Sequence, residues 1–230
     1  MDLAWSTRRV TFGSHPRSQG RPWPGRLLRS TIAGHVVRAP FALVLVSALL
    51  ATTIWTRSHP DASANIFAWV STNAHNLSIA PARSLVLSAL FLPDEKWVLN
   101  ATLLLAVIVP LERRVGTRWA LAVFASAHVL ATLLTEGWVS VAVRLDWLPR
   151  SAAYIDDVGV SYGLYGVAAA SCYFLPARFR RLGVSGLVGY LALQFAIEPD
   201  MTNTGHLLAL ASGLAWWRGL ERLSRRRGRA

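Results

Sequence analysis

The fold class this sequence predicts is all-α: a polytopic membrane protein built as a bundle of six transmembrane helices. Three observations predict it. The 230 residues are 53% hydrophobic and only 16% charged, yet they carry a formal net charge of +12 and 10 tryptophans. The charges are segregated, leaving six uncharged apolar runs: Ala39–Trp55, Trp97–Leu111, Trp119–Thr135, Val158–Pro176, Leu182–Ile197 and Met201–Trp217. Several are a little shorter than the roughly 20 residues a spanning helix needs, a difference that flanking Arg and Trp and local bilayer thinning can absorb. Finally, arginines cluster in alternate connecting segments: Arg8 to Arg38 before the first run, Arg113, Arg114 and Arg118 after the second, Arg178, Arg180 and Arg181 after the fourth, and Arg218 to Arg229 at the end. Basic residues near a span are retained in the cytoplasm, so this alternation predicts an even number of crossings with both termini cytoplasmic.

In chain order, residues 1–38 are rich in Arg, Ser, Gly and Pro without helical or strand period, and read as a flexible basic cytoplasmic tail. Residues 39–220 form the membrane domain, and 221–230 a second basic tail. The run from Ala39 is followed by no convincing small-residue cleavage pattern, so it is expected to stay as a helix. The connection from Thr56 to Lys96 is too long to be a plain loop and is expected to be structured. Within it, Phe67–Leu77 suits a helix lying in the interface, and Leu85–Leu92 is too short to cross. The second span ends in PLERRVG, Pro110–Gly116. A loop over Glu136–Asp157 is expected to rest at the outer surface through Trp138 and Trp147. The fourth span opens with GVSYGLYG, Gly159–Gly166, and the sixth contains GHLLALASG, Gly205–Gly213.

The second, fourth and sixth spans all start on the outer side. Asn100, Ser161 and His206 each follow the last charge by a few residues, which at 1.5 Å per residue places them at about the same depth, on the order of 6 to 9 Å. Small residues at Gly205, Ala209 and Gly213, and at Gly166, Ala169 and Ala170, would let these helices approach closely. A serine becomes a nucleophile when a histidine within reach takes its proton, and the resulting oxyanion needs donors already in place. Ser161 and His206 supply the first pair. The Ser161 backbone N–H and the Asn100 amide are candidates for the second role. No acidic third member stands beside His206, so the arrangement is a dyad.

These motifs resemble those of the rhomboid intramembrane serine proteases, which are six-helix bundles, some with a seventh helix, that cleave transmembrane segments of other proteins. GVSYGLYG resembles the family's G-x-S-G, with Ser161 at the nucleophile and Tyr165 at the aromatic position that packs on the catalytic histidine. GHLLALASG is similar to A-H-x-x-G-x-x-x-G, with His206 as the base. KWVLN, Lys96–Asn100, resembles H-x-x-x-N and retains Asn100, while Glu112 and Gly116 match the E-x-x-x-G that follows. Arg83 matches the arginine of the first-loop W-R pair. Four positions differ from the family pattern: Tyr162 follows the nucleophile in place of glycine, Lys96 stands for the oxyanion histidine, Ala82 for the tryptophan, and Ala209 for the first glycine of the sixth-helix motif. Lys96 reads either as an interfacial anchor or as a further donor at the site.

The resemblance implies an intramembrane serine endopeptidase acting on transmembrane protein substrates within the lipid bilayer. Its alternative is a catalytically silent rhomboid-like protein that binds membrane helices, which would follow if the Tyr162 ring filled the gap between Ser161 and His206. No Cys, His and carboxylate cluster has metal-ligand spacing, so neither metal nor cofactor is expected. The single cysteine, Cys172, excludes an intramolecular disulfide. Arginine beside apolar runs is explained by insertion and lipid contact, so nucleic acid is not an expected partner. Arg-heavy, Lys-poor usage points to a bacterial genome rich in G and C, so the expected location of the apolar spans is a bacterial plasma membrane.

Overall fold

The computed structural model describes residues 38–93 and 97–227. Most of the expected N-terminal tail, and Lys96, therefore lie outside the described residues. Among these, all regular structure is helical. In order it comprises α1 (Pro40–Ser58), α2 (Pro60–Val70), α3 (Ala74–Ile79), α4 (Pro81–Leu87), α5 (Trp97–Val115), α6 (Thr117–Arg144), α7 (Ser161–Ser171), α8 (Ala177–Ile197), α9 (Met201–Ala215) and α10 (Trp217–Arg227), with short 3-10 turns at Ser88–Leu90, Arg150–Tyr154 and Cys172–Phe174.

Each of the six expected spans coincides with a helix, in α1 and α5 to α9. Two of them, α1 and α6, are long and apolar enough to cross a membrane. The others fall short for visible reasons. Helix α5 ends in Glu112, Arg113 and Arg114, α8 opens with Arg178, Arg180 and Arg181, and α7 and α9 have 11 and 15 residues. Two boundaries differ from expectation. Helix α6 runs on to Arg144 through the segment read as an outer loop, because Glu136 is buried and accepts the Ala74 backbone N–H instead of ending the helix in solvent. The segment 221–230, read as a tail, is helical as far as Arg227, with Leu220 buried and Leu223 packed on the core.

The centre of the bundle is the trio α6, α7 and α9. Their backbones meet where side chains are minimal. A methyl at Gly213 would run into the Gly166 carbonyl oxygen and come within 2.9 Å of the Ala169 Cβ, and one at Gly166 would collide with Ala127. Helix α1 packs on α5 through Ala42, Leu45 and Leu49, and the N-terminus of α1 is held by a side chain 70 residues away. The Glu112 carboxylate accepts the Phe41 N–H at 2.8 Å, the Ala42 N–H at 3.0 Å and the Thr117 hydroxyl at 2.8 Å. Those N–H groups have no partner inside their own helix, so a buried carboxylate stabilises that end both by hydrogen bonding and by opposing the helix dipole. Gly116 then turns the chain into α6 at a φ of 89°, a left-handed conformation that favours glycine.

The long first connection is structured, as expected, although Phe67–Leu77 is split between α2 and α3 by Ser71, Thr72 and Asn73. Those three residues fold inward. Asn73 caps α3 by accepting the Asn76 N–H, and the Asn76 side chain in turn donates to the carbonyls of Ala68 and Ser71. Arg83 lies over the Trp69 ring at 4.5 Å, so the tryptophan–arginine pair exists here with its ring supplied from α2, not from position 82.

Candidate active site

Ser161 is the first residue of α7, and the chain before it explains why the helix starts there. Asp157 is tied to the first connection. Its N–H donates to the Ser71 hydroxyl at 2.9 Å, its carbonyl accepts the Thr72 N–H and hydroxyl at 2.9 Å, and its carboxylate accepts the Thr72 hydroxyl at 3.3 Å. Gly159 donates to the Ser88 carbonyl at 3.1 Å. Anchored in this way, the chain turns at Gly159 and Val160 and is helical from Ser161, the first helical bond being Leu164 N–H to the Val160 carbonyl. The N–H groups of Ser161, Tyr162 and Gly163 are therefore left without helical acceptors beside the serine hydroxyl.

Helix α9 is started by its own cap. Asp200 accepts the Asn203 N–H at 2.7 Å, and its carbonyl accepts the Thr204 hydroxyl at 2.8 Å. This places His206 in the second turn, where only 8% of it is exposed. Its Nε2 lies 3.0 Å from the Ser161 Oγ. For the hydroxyl to donate to Nε2, the ring proton must sit on Nδ1, and Nδ1 has no hydrogen-bond partner among the described residues. The pair thus stands without a carboxylate behind it. Two aromatic rings fix the imidazole instead: Tyr165 with centroids 4.6 Å apart, and Tyr162 edge-on at 5.5 Å.

Of the residues predicted from sequence, Ser161, His206 and Tyr165 are brought together. Asn100 is half-buried in the first turn of α5, which packs on α7. Lys96 lies outside the described residues. Tyr162 does not stand between serine and histidine. One residue further round the helix, it packs its ring on the bare backbone of Gly205, and hydrogen-bonds through its phenol with Asp157 and Thr135. A methyl at Gly205 would overlap that ring, so the glycine before the histidine is what makes room for the tyrosine after the serine.

Sequence reasoning missed Asp157 and Thr72, and it read Gly205 as part of a small-residue stripe without its partner Tyr162. Asp157 is the one with a readable signal, an acid four residues before the serine. Burial pushes its carboxyl above the usual carboxylate range, against the hydrogen bonds from Thr72 and Tyr162. His128, in the middle of α6, is a packing residue: its Nε2 lies 3.1 Å from the Leu85 carbonyl and 3.3 Å from the Ser88 hydroxyl, joining the first connection to the core.

A half-buried serine in direct contact with a buried histidine, held by aromatic rings at the start of two tightly packed helices, can generate a nucleophile and hold the anion it forms. No curated relative and no solved structure matches the chain. A family model described as rhomboid-like protein does match it, over residues 34–227, and the chain belongs to that rhomboid-like family.

Proposed function

We propose that this protein is an intramembrane serine endopeptidase, a six-span bundle of a bacterial plasma membrane with both termini in the cytoplasm. The observation that carries the reading is the 3.0 Å contact between Ser161 Oγ and His206 Nε2. The Ser161 oxygen attacks a backbone carbonyl in a locally unwound transmembrane segment of another protein while His206 Nε2 takes the hydroxyl proton. The tetrahedral oxyanion is held by the Ser161 N–H at the open end of α7 and by the Asn100 amide. Collapse of that intermediate expels the amine, which takes the proton from His206, and leaves an acyl-serine. Water, deprotonated by the same histidine, then releases the acid and regenerates the hydroxyl. With no third member, Tyr165 and Tyr162 do the orienting that a carboxylate does in a triad.

The rival reading, a non-cleaving protein that binds membrane helices, requires the Tyr162 ring between the two groups. The direct contact, with the phenol turned to Asp157, supports the enzyme instead. The test is cleavage of single-span reporter proteins co-reconstituted in liposomes. The wild type is expected to cut at least one of them within or beside its span, and Ser161→Ala to cut none. Cleavage that survives Ser161→Ala would assign the chemistry elsewhere.

A further inference from the structure

Between Leu182 and Ile197, helix α8 carries three polar side chains, Ser185, Tyr190 and Gln194, among glycines and apolar residues. A phenol and an amide facing hydrocarbon cost free energy unless each finds a hydrogen-bond partner. Tyr190 and Gln194 are four apart and so share a face of the helix. Gln194 Nε2 donates to the Tyr190 oxygen at 2.9 Å, and the Tyr190 phenol hydrogen-bonds in turn with the phenol of Tyr165 on α7. The two residues form a polar chain that leaves α8 and ends on the ring packed against His206.

The packing runs to the same place. Leu191, the one buried residue among the 21 of α8, meets Ala169 of α7 and Leu210 of α9 in a small cluster on which Tyr165 and Leu187 also lean. Helix α8, which otherwise packs mainly on α9 and on the Cys172–Phe174 turn, is thus joined to Tyr165 both through hydrocarbon and through a hydroxyl. The Tyr165 ring centroid lies 4.6 Å from that of His206, whose Nδ1 has no hydrogen-bond partner among the described residues. With no carboxylate behind the imidazole, its orientation depends on the rings beside it. A tyrosine ring free to turn about its side-chain bonds would hold it loosely, and fixing that ring at its oxygen removes the freedom.

We infer that Tyr190 is a positioning residue for the proposed reaction: its hydrogen bond to the Tyr165 phenol, supported from behind by Gln194, sets the Tyr165 ring and through it the His206 imidazole that meets Ser161. Its catalytic consequence rests on the proposed hydrolase, whereas the mechanical link from α8 to His206 holds whether or not the protein cuts.

The test combines two readouts on the full-length protein in detergent. In protein carrying isotope-labelled histidine, the Cε1–H magnetic resonance signal of His206, assigned by its loss in His206→Asn, is expected to shift in Tyr190→Phe. Fluorophosphonate labelling of Ser161 is expected to slow about three- to tenfold in the same variant, the scale of one hydrogen bond. That loss is expected in the limiting rate constant and not in the probe concentration that half-saturates it. Leu193→Ala, at an exposed position on the same helix, is expected to change neither readout. Because Tyr190 acts through the Tyr165 oxygen, adding Tyr190→Phe to Tyr165→Phe is expected to slow labelling no further. A His206 signal that stays in place, a labelling rate equal to the wild type's, or effects of the two substitutions that multiply when combined would overturn the inference. A wild type that does not label at all would instead overturn the hydrolase, and the His206 signal would then decide whether Tyr190 positions the imidazole.

Discussion

Helices α7 and α8 are neighbours in sequence but hold opposite places in the molecule. The 11 residues of α7 include seven that are buried, and its backbone touches α6 and α9 through glycine and alanine; the 21 residues of α8 include one. The serine and histidine sit on the tightly packed pair α7 and α9, where small residues leave little freedom for either helix to shift, while the loosely attached α8 borders an apolar groove that Ala106, Val107 and Pro110 of α5 and Leu187 of α8 line. A 3.0 Å contact between side chains on different helices needs that rigidity, since a displacement of even 1 Å would break it. A helix beside a groove can be held less tightly.

That contrast can be broken most sharply at Gly213. The Cβ of Gly213→Ala has nowhere to go except into the Gly166 carbonyl, so α7 and α9 must separate; a loss of about 1–3 kcal/mol is expected, measured as a fall in melting temperature in detergent. The next effect is expected at the tyrosine that follows the serine. Gly205→Ala should destabilise by pushing on the Tyr162 ring, and Tyr162→Leu should relieve part of that loss. A double-mutant cycle should therefore show a coupling on the order of 0.5–3 kcal/mol, whereas additive effects would mean the ring and the glycine do not compensate each other.

A smaller effect is expected from pH. The Asp157 carboxyl is raised above its ordinary 3.8 in the folded state, mainly by burial. The fold therefore favours its protonated form: this contribution is complete below the unfolded pKa and is lost as pH climbs through the higher folded value. Glu136, Asp200 and Tyr162 are the titratable groups around it. Melting temperature should fall as pH rises from about 4, and Asp157→Asn should flatten that slope. The smallest effect belongs to α8, where Leu193, 60% exposed, should tolerate Ala with a change in stability within about 0.5 kcal/mol. A large loss there would show that α8 is clamped to the bundle after all.

Much of this was legible in the sequence because it is written in local pattern. The six uncharged runs each hold a helix, since a long stretch without charge has few alternatives to burying its backbone bonds internally. Ser161 and His206 could be matched because each lies a few residues past a charge at the start of its own run. What could not be read depends on pairs distant in sequence. Glu112 capping α1, Gly205 yielding to Tyr162 and Trp69 reaching Arg83 are each decided by packing between helices, and neither partner alone signals the other. The overrun of α6 has the same origin: Glu136 looked like the end of an apolar run, but it faces a backbone N–H from the first connection.

The most direct test of the central claim is reaction of the purified protein with a fluorophosphonate, followed by peptide mapping. The wild type is predicted to carry a single phosphonyl adduct on Ser161, and the adduct is predicted to disappear in His206→Asn with the fold intact. Either no adduct at Ser161 in the folded protein, or one that forms equally fast without the imidazole, would contradict a serine activated by the histidine it touches.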